Sequence, residues 1–267
     1  MKFLISMNSK MFSKYDAKQL MFAITKLDTN KVIDGAEIYI DMSNQQEKEY
    51  CIDLVKIMKE FNWILQIHST DMNTLEEHII DKYIQYYNKL AFIYGNKIKL
   101  TFHPAQESNR YESIQKTIET FKYITKYINQ NNLNLEVILE NLNEHKGTLR
   151  CNIQQVYEII GSTSIEGITL DIGHYVYDYS NDYTNLNNEY TSKIKNIHIH
   201  DIDNDRNDHY PFYYNNVKIQ ELVKYIKDIN YKENIVLEFG LEYLNGETFE
   251  DKITEYIKQI EYVINTK

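Results

Sequence analysis

The sequence predicts a closed (β/α)8 TIM barrel forming a single domain over residues 1–267. Three observations carry this. Eight short apolar runs alternate with eight stretches of helical periodicity, no Pro-, Gly- or Ser-rich linker divides them, and 267 residues suit one α/β barrel. A parallel sheet needs a crossover helix between strands and a barrel needs eight such units, so this count and order favour closure over an open doubly wound sheet. The first strand–helix turn lacks Gly-x-Gly-x-x-Gly, and no Gly-x-x-x-x-Gly-Lys-Ser/Thr occurs, which argues against dinucleotide and phosphate-loop folds.

Lys2–Ser6 reads as the first buried strand, and Tyr15–Leu27 follows with Leu20, Ala23, Ile24 and Leu27 at helical spacing. Gly35 opens the second strand, Ala36–Ile40, and Gln45–Phe61 repeats the helical period through Ile52, Val55, Ile57 and Met58. Trp63–Ile67 is the third strand, ending at His68. The helix after it, Asn73–Tyr94, is expected to be capped by Asn73 or Thr74, with Glu76 and Glu77 in its positive first turn. Ile98–Phe102 leads to His103 and Pro104, then to a helix over Asn109–Asn129. Leu135–Leu139 runs into Glu140 and is followed by a helix over Leu149–Ile160. Ile168–Leu170 runs into Asp171, with a helix expected over Thr184–Ile194. The seventh strand is Ile194-Lys-Asn-Ile-His-Ile-His200, followed by a helix over Lys218–Ile229. Ile235–Leu237 then reaches Glu238, and Glu247–Ile264 is the last helix.

The strand ends carry the chemistry. Ile197 and Ile199 alternate with His198 and His200, so both imidazoles share one face of a strand that ends in Asp201. Four further runs end in His68, His103, Glu140 and Asp171, and another in Glu238. In an α/β barrel these C-terminal ends meet over one mouth. His174 lies three residues past Asp171, and His209 falls in the loop after the seventh strand. So many carboxylates and imidazoles would repel or desolvate one another unless a cation stood between them. Oxygen and nitrogen ligands without thiolate suit Zn or Mn, and Mg less well. His200 and Asp201 are placed to orient ligands from behind, and His68 and His103 to face substrate as well. Contacts to substrate are further expected from His174, His200 and Arg206. His78 and His145 read as solvent-facing.

The formal net charge is −10, from 29 Lys and Arg against 39 Asp and Glu, with Arg only at 110, 150 and 206. No basic stripe suits a phosphodiester backbone, so a nucleic-acid partner is disfavoured. The opening apolar run is too short for a signal peptide, and none nears the roughly 18 apolar residues of a spanning helix, so a cytoplasmic protein without a membrane partner is expected. Cys51 and Cys151 stand alone, as structural thiols do.

Leu139-Glu-Asn141, Leu170-Asp-Ile-Gly-His174, Ile197-His-Ile-His-Asp201 and Leu237-Glu238 resemble the xylose-isomerase-like TIM barrels, which include sugar isomerases, epimerases and endonuclease IV. The resemblance implies a metal site of Glu140, Asp171, His198 and Glu238. It also implies that Glu140 and Glu238 exchange a proton with a small sugar or related polyhydroxylated carbonyl compound, His174 binding a substrate hydroxyl. The endonuclease IV pattern would add His68 and His103 for a second metal, with Glu140 bridging, and a histidine and an Asp-x-His pair for a third. His174 and His209 match that last set, but its Asp position holds Asn207, a poorer ligand. The glycine-rich opening and basic loops with which endonuclease IV grips DNA have no equivalent at Met7–Phe12 or in the acidic Asp41–Glu49. An isomerase or epimerase is therefore the leading expectation, and a multi-metal phosphodiesterase of AP endonuclease family 2 the alternative. The oligomeric state is not legible.

Overall fold

The computed structural model describes residues 1–8, 12, 14–69, 71–73, 75–143, 151–179, 186, 191–203, 207–213 and 217–266. Strands β1 (Lys2–Asn8), β2 (Gly35–Tyr39), β3 (Ile64–His68), β4 (Ile98–Phe102), β5 (Leu135–Glu140), β6 (Gly167–Asp171), β7 (Ile194–Ile199) and β8 (Asn234–Leu237) close into a barrel in sequence order. Every neighbouring pair is parallel, and β8 returns to β1 with Lys2 opposite Asn234 and Ile5 opposite Leu237. Around it run α1 (Ala17–Leu27), α2 (Gln45–Glu60), α3 (Glu77–Tyr94), α4 (Arg110–Gln130), α5 (Ile153–Gly161), α6 (Ile172–Tyr179), α7 (Val217–Asp228) and α8 (Phe249–Asn265). The strands read as near-continuous apolar runs because helices cover their outer faces.

The helices begin where the sequence supplies a cap. Asp16, Asn44, Asn109 and Asn152 each accept backbone N–H bonds at the starts of α1, α2, α4 and α5, and Asn152 pairs with Gln155 in a capping box. At α3 the expected cap does not form. The helix starts at Glu77 without a side-chain cap, because Asn73 turns its amide to Asp71 and to the His103 carbonyl; Thr74 lies outside the described residues. A second difference follows β6. The helix α6 begins directly at Ile172, well ahead of the stretch Thr184–Ile194 in which a helix is expected, and most of that stretch lies outside the described residues. No described helix is long and apolar enough to cross a membrane.

Closure depends on the last helix. Its Ile253, Ile257, Ile260 and Val263 are buried against the barrel, each worth about 1.5–3 kcal/mol relative to exposure. Among them Tyr256 donates its hydroxyl to the Leu237 carbonyl in β8 and accepts the Ser6 N–H of β1 at 3.0 Å. Tyr256→Phe is therefore expected to destabilise the protein by about 1–3 kcal/mol, because two buried backbone groups lose their partner. Urea denaturation measures it, and an unchanged midpoint would remove the tyrosine from this role.

Barrel interiors are usually filled by branched apolar side chains. Here a polar belt crosses the centre: Glu37, Gln66, Thr101, Thr169 and Asn196 are all buried. Gln66 and Thr101 both donate to Glu37 Oε2, at 2.6 and 3.1 Å, and the Thr101 and Thr169 hydroxyls meet at 3.2 Å. The belt lies directly beneath the mouth.

Candidate metal centre

Glu140, the last residue of β5, is fully buried and stands at the middle of the mouth. Its Oε2 is 3.3 Å from His68 Nε2 and 3.5 Å from His103 Nε2, and its Oε1 is 3.3 Å from His198 Nδ1. His198 Nδ1 is also 2.8 Å from Glu238 Oε2. Ligand atoms of Glu140, Asp171, His198 and Glu238 all lie within 4.8 Å of one another, and so do those of His68, His103 and Glu140. Six separate strands thus deliver the side chains that the sequence placed at strand ends. Backbone pairing carries the ladder past the last strand residue, with Ser69 N–H on the Thr101 carbonyl and Glu238 N–H on the Ile199 carbonyl.

The donor set fits a divalent cation. Both Glu140 oxygens, Glu238 Oε2, both His198 nitrogens, His68 Nε2 and His174 Nε2 are buried and make ion-pair contacts but no well-aligned hydrogen bond. Leaving such groups unsatisfied costs about 1–3 kcal/mol each, more when charged. Without a cation, protons take its place. Burial opposes charge on His68, but Glu140, Glu37 and Glu238 outweigh it and push its pKa up to about 9. Burial likewise works against His174, and Asp171, Asp208 and Glu140 lift it to about 10. Burial would raise Glu140 and Glu238, yet the imidazoles, led by His198, hold both well below the ordinary carboxylate range.

Asp171 is set by its neighbours. Asn141 extends the β5–β6 ladder with its side chain, accepting the Asp171 N–H at 2.8 Å and donating to the Asp171 carbonyl at 3.1 Å. Asp171 Oδ1 accepts the His174 N–H at 2.7 Å, and His174 Nδ1 meets the Asn141 carbonyl at 3.0 Å, which leaves the buried Nε2 facing Asp208.

His200 departs from the expected substrate contact. It is fully buried, its Nδ1 accepts the His209 N–H at 3.0 Å, and its Nε2 lies 3.1 Å from Asp171 Oδ1. With both nitrogens engaged it braces Asp171 and does not line the cavity above. Gly173 makes room for it: a Cβ at that position would come within 2.1 Å of His200 Cε1. Gly173→Ala is expected to cost about 1–3 kcal/mol by overpacking and to weaken cation binding by tilting Asp171. Denaturation and calorimetric titration read the two effects separately.

In the loop after β7, Asn207 turns away and donates to Asp203 Oδ2 at 2.8 Å. The carboxylate facing the site is Asp208, which sequence reasoning passed over. It stands 3.6 Å from His174 Nε2 and 2.9 Å from His209 Nδ1. Arg206 lies outside the described residues. Asp201 turns the chain, pairing its backbone with Tyr210 and accepting the Ile202 N–H.

The mouth opens into a cavity of about 300 Å³, walled by Tyr39, His68, His103, His209, Glu238 and Tyr243 among others. No Lys or Arg lines it among the described residues. A volume at the lower end of the roughly 300–1,000 Å³ of small-molecule sites admits a single sugar-sized ligand.

No curated protein matches the chain. Among solved structures, a D-allulose 3-epimerase from Methylomonas sp. in complex with D-allulose is 12% identical, with TM-score 0.70 over 100% of this chain and 98% of that one. A probable 3-DHS dehydratase from Bacillus anthracis is 16% identical, with TM-score 0.67 over 100% of both chains. An AP endonuclease, family 2, from Brucella melitensis is 13% identical, with TM-score 0.62 over 89% of this chain and 92% of that one. At these identities the likeness is one of fold. A sequence model of the xylose isomerase-like TIM barrel matches residues 33–262. With most of its length matched, the chain belongs to the xylose isomerase-like TIM barrel family.

Proposed function

We propose that the protein is a divalent-cation-dependent isomerase or epimerase of a small, unphosphorylated, polyhydroxylated carbonyl compound. The observation that carries this is the convergence of Glu140, Asp171, His198 and Glu238 beneath a cavity of about 300 Å³ with no cationic side chain on its described lining. A bound divalent cation would polarise a carbonyl and its neighbouring hydroxyl, which lowers the cost of deprotonating the carbon between them. Glu238, the glutamate that lines the cavity, meets the substrate carbon first and takes or returns its proton at Oε1; Glu140 shares the transfer from the buried side. His209, which lines the cavity, is the histidine placed to bind a substrate hydroxyl; His174, the residue expected for that contact, is buried with Nε2 3.6 Å from Asp208. Phosphorylated substrates lack a counter-charge on the described lining. The D-allulose held by the Methylomonas epimerase is a compound of the proposed class.

The test is incubation of the manganese- or zinc-loaded protein with ketoses and aldoses in D2O. Deuterium incorporation at a carbon beside the carbonyl is expected, and Glu238→Gln should remove it. No exchange with any neutral sugar would overturn the reading.

A second reading rests on a separate observation, the close set of His68, His103 and Glu140 together with His174, Asp208 and His209. These would suit a multi-metal phosphodiesterase. Elemental analysis separates the two: one ion per chain supports the isomerase, whereas two or three, with cleavage of an abasic-site oligonucleotide, support hydrolysis.

A further inference from the structure

Glu37 sits on β2, away from the strand ends, and its side chain is buried in the barrel centre. Its two oxygens do different things. Oε2 accepts from Gln66 Nε2 at 2.6 Å, Thr101 Oγ1 at 3.1 Å and Asn196 Nδ2 at 3.3 Å, donors from three other strands. Oε1 is left for one neighbour, His198 Nε2, at 2.8 Å. Gln66 is fixed in turn, since its Oε1 accepts from Asn234 on β8. A carboxylate in this position has no part in packing that an apolar side chain would not fill better.

We propose that Glu37 is the positioning residue of the cation site: it holds the proton of His198 on Nε2, so that the Nδ1 lone pair is presented between Glu140 and Glu238. The inference rests on reading those residues as a cation site. An imidazole offers one nitrogen to a metal and donates the other N–H to an outer group, which fixes ring orientation and makes the ligand nitrogen more basic. His198 is disposed for that arrangement: Nδ1 lies 3.3 Å from Glu140 Oε1 and 2.8 Å from Glu238 Oε2, and Nε2 lies 2.8 Å from Glu37 Oε1, near enough to donate to it once a cation fixes the ring. Glu37, His68 and His198 also come within 4.8 Å of one another, as a separate cation site would require. Two features argue against that use: Glu37 Oε2 already takes three donors, and Glu37 lies in the middle of β2, in the polar belt beneath the mouth and not at the strand ends.

The experiment is calorimetric titration of the full chain with Mn2+ and Zn2+, comparing wild type with Glu37→Gln. The expected result is a dissociation constant raised about 10–100-fold with the number of ions bound unchanged. A Kd within twofold of wild type, or the loss of one ion per chain, overturns the proposal. If wild type binds no ion, the cation-site reading falls and takes this proposal with it; if wild type binds and the variant binds equally, only the proposal falls. Because the variant risks misfolding, a second measurement uses wild type alone. In the zinc-loaded protein, the imidazole ¹⁵N signals of His198 should show Nε2 protonated and Nδ1 bound, and the reverse assignment overturns the role of Glu37.

Discussion

Replacing Glu140 by glutamine is expected to abolish cation binding and turnover together while leaving the barrel closed. Glu140 is the carboxylate common to the set with Asp171, His198 and Glu238 and the set with His68 and His103, and it faces His68, His103 and His198 at 3.3 to 3.5 Å. Glutamine keeps the shape but removes the charge, and it places an amide N–H₂ against imidazole nitrogens that are waiting for a cation. Partners outside the ligand shell are worth about 10–100-fold in metal affinity, and loss of a central ligand should exceed that. Circular dichroism should retain the wild-type signal. Calorimetry is expected to show no saturable Mn2+ binding at concentrations that saturate wild type; binding within tenfold of wild type would take Glu140 out of the centre.

The second large effect is on the pH dependence of the metal-free protein. His68 at about 9 and His174 at about 10 both lie above the value of about 6.5 for unfolded histidine. The folded state therefore binds protons that the unfolded chain releases. Stabilisation from these two is complete below about pH 6.5 and is lost as pH climbs through 9 and 10. Glu140, Glu238 and Asp208 run the other way. Their folded values are depressed, so their contribution is present above about pH 4.3 and is lost as the solution is acidified. Metal-free protein should be most stable between about pH 4.5 and 6.5 and lose a few kcal/mol by pH 9, since each tenfold difference in proton affinity between folded and unfolded chain is worth about 1.4 kcal/mol. A bound divalent cation replaces those protons, so the alkaline decline should vanish at saturation and cation affinity should rise over the same range. Urea midpoints between pH 5 and 9, with chelator and with Mn2+, measure both. A metal-free midpoint that does not fall with pH would contradict the geometry.

The fold was legible because its signal repeats: eight apolar runs, each followed by helical spacing, leave few architectures open. The site was legible wherever a strand delivers its last residue, because the barrel itself fixes where that residue points, as with His68, Glu140 and Asp171. Asp208 was not, because the loop after β7 presents Asn207, Asp208 and His209 in a row, and only the turn that bonds Asn207 to Asp203 decides which of them faces inward. Glu37 escaped notice for another reason. A polar residue between Ala36 and Ile38 reads as the wet face of a strand, and only closure turns that face toward the barrel axis. His200 shows the converse. Strand alternation put it on the face of His198, yet β7 ends at Ile199, and the chain beyond it turns back so that the ring packs behind Asp171. The start of α6 at Ile172 was hidden because the residue that caps it, Asp171, is also the last residue of β6, so no separate polar turn marks the boundary.

The hydroxyl of Tyr256 joins residues 250 positions apart along the chain, Ser6 and itself, with Leu237 between them in space. During synthesis β1 must therefore wait, one edge unpaired, until β8 and α8 have left the ribosome. Such long-range pairing folds slowly and exposes a sticky edge meanwhile. Deleting α8 would strip this clasp from the β1–β8 seam, and the expected product is an aggregate rather than a smaller barrel.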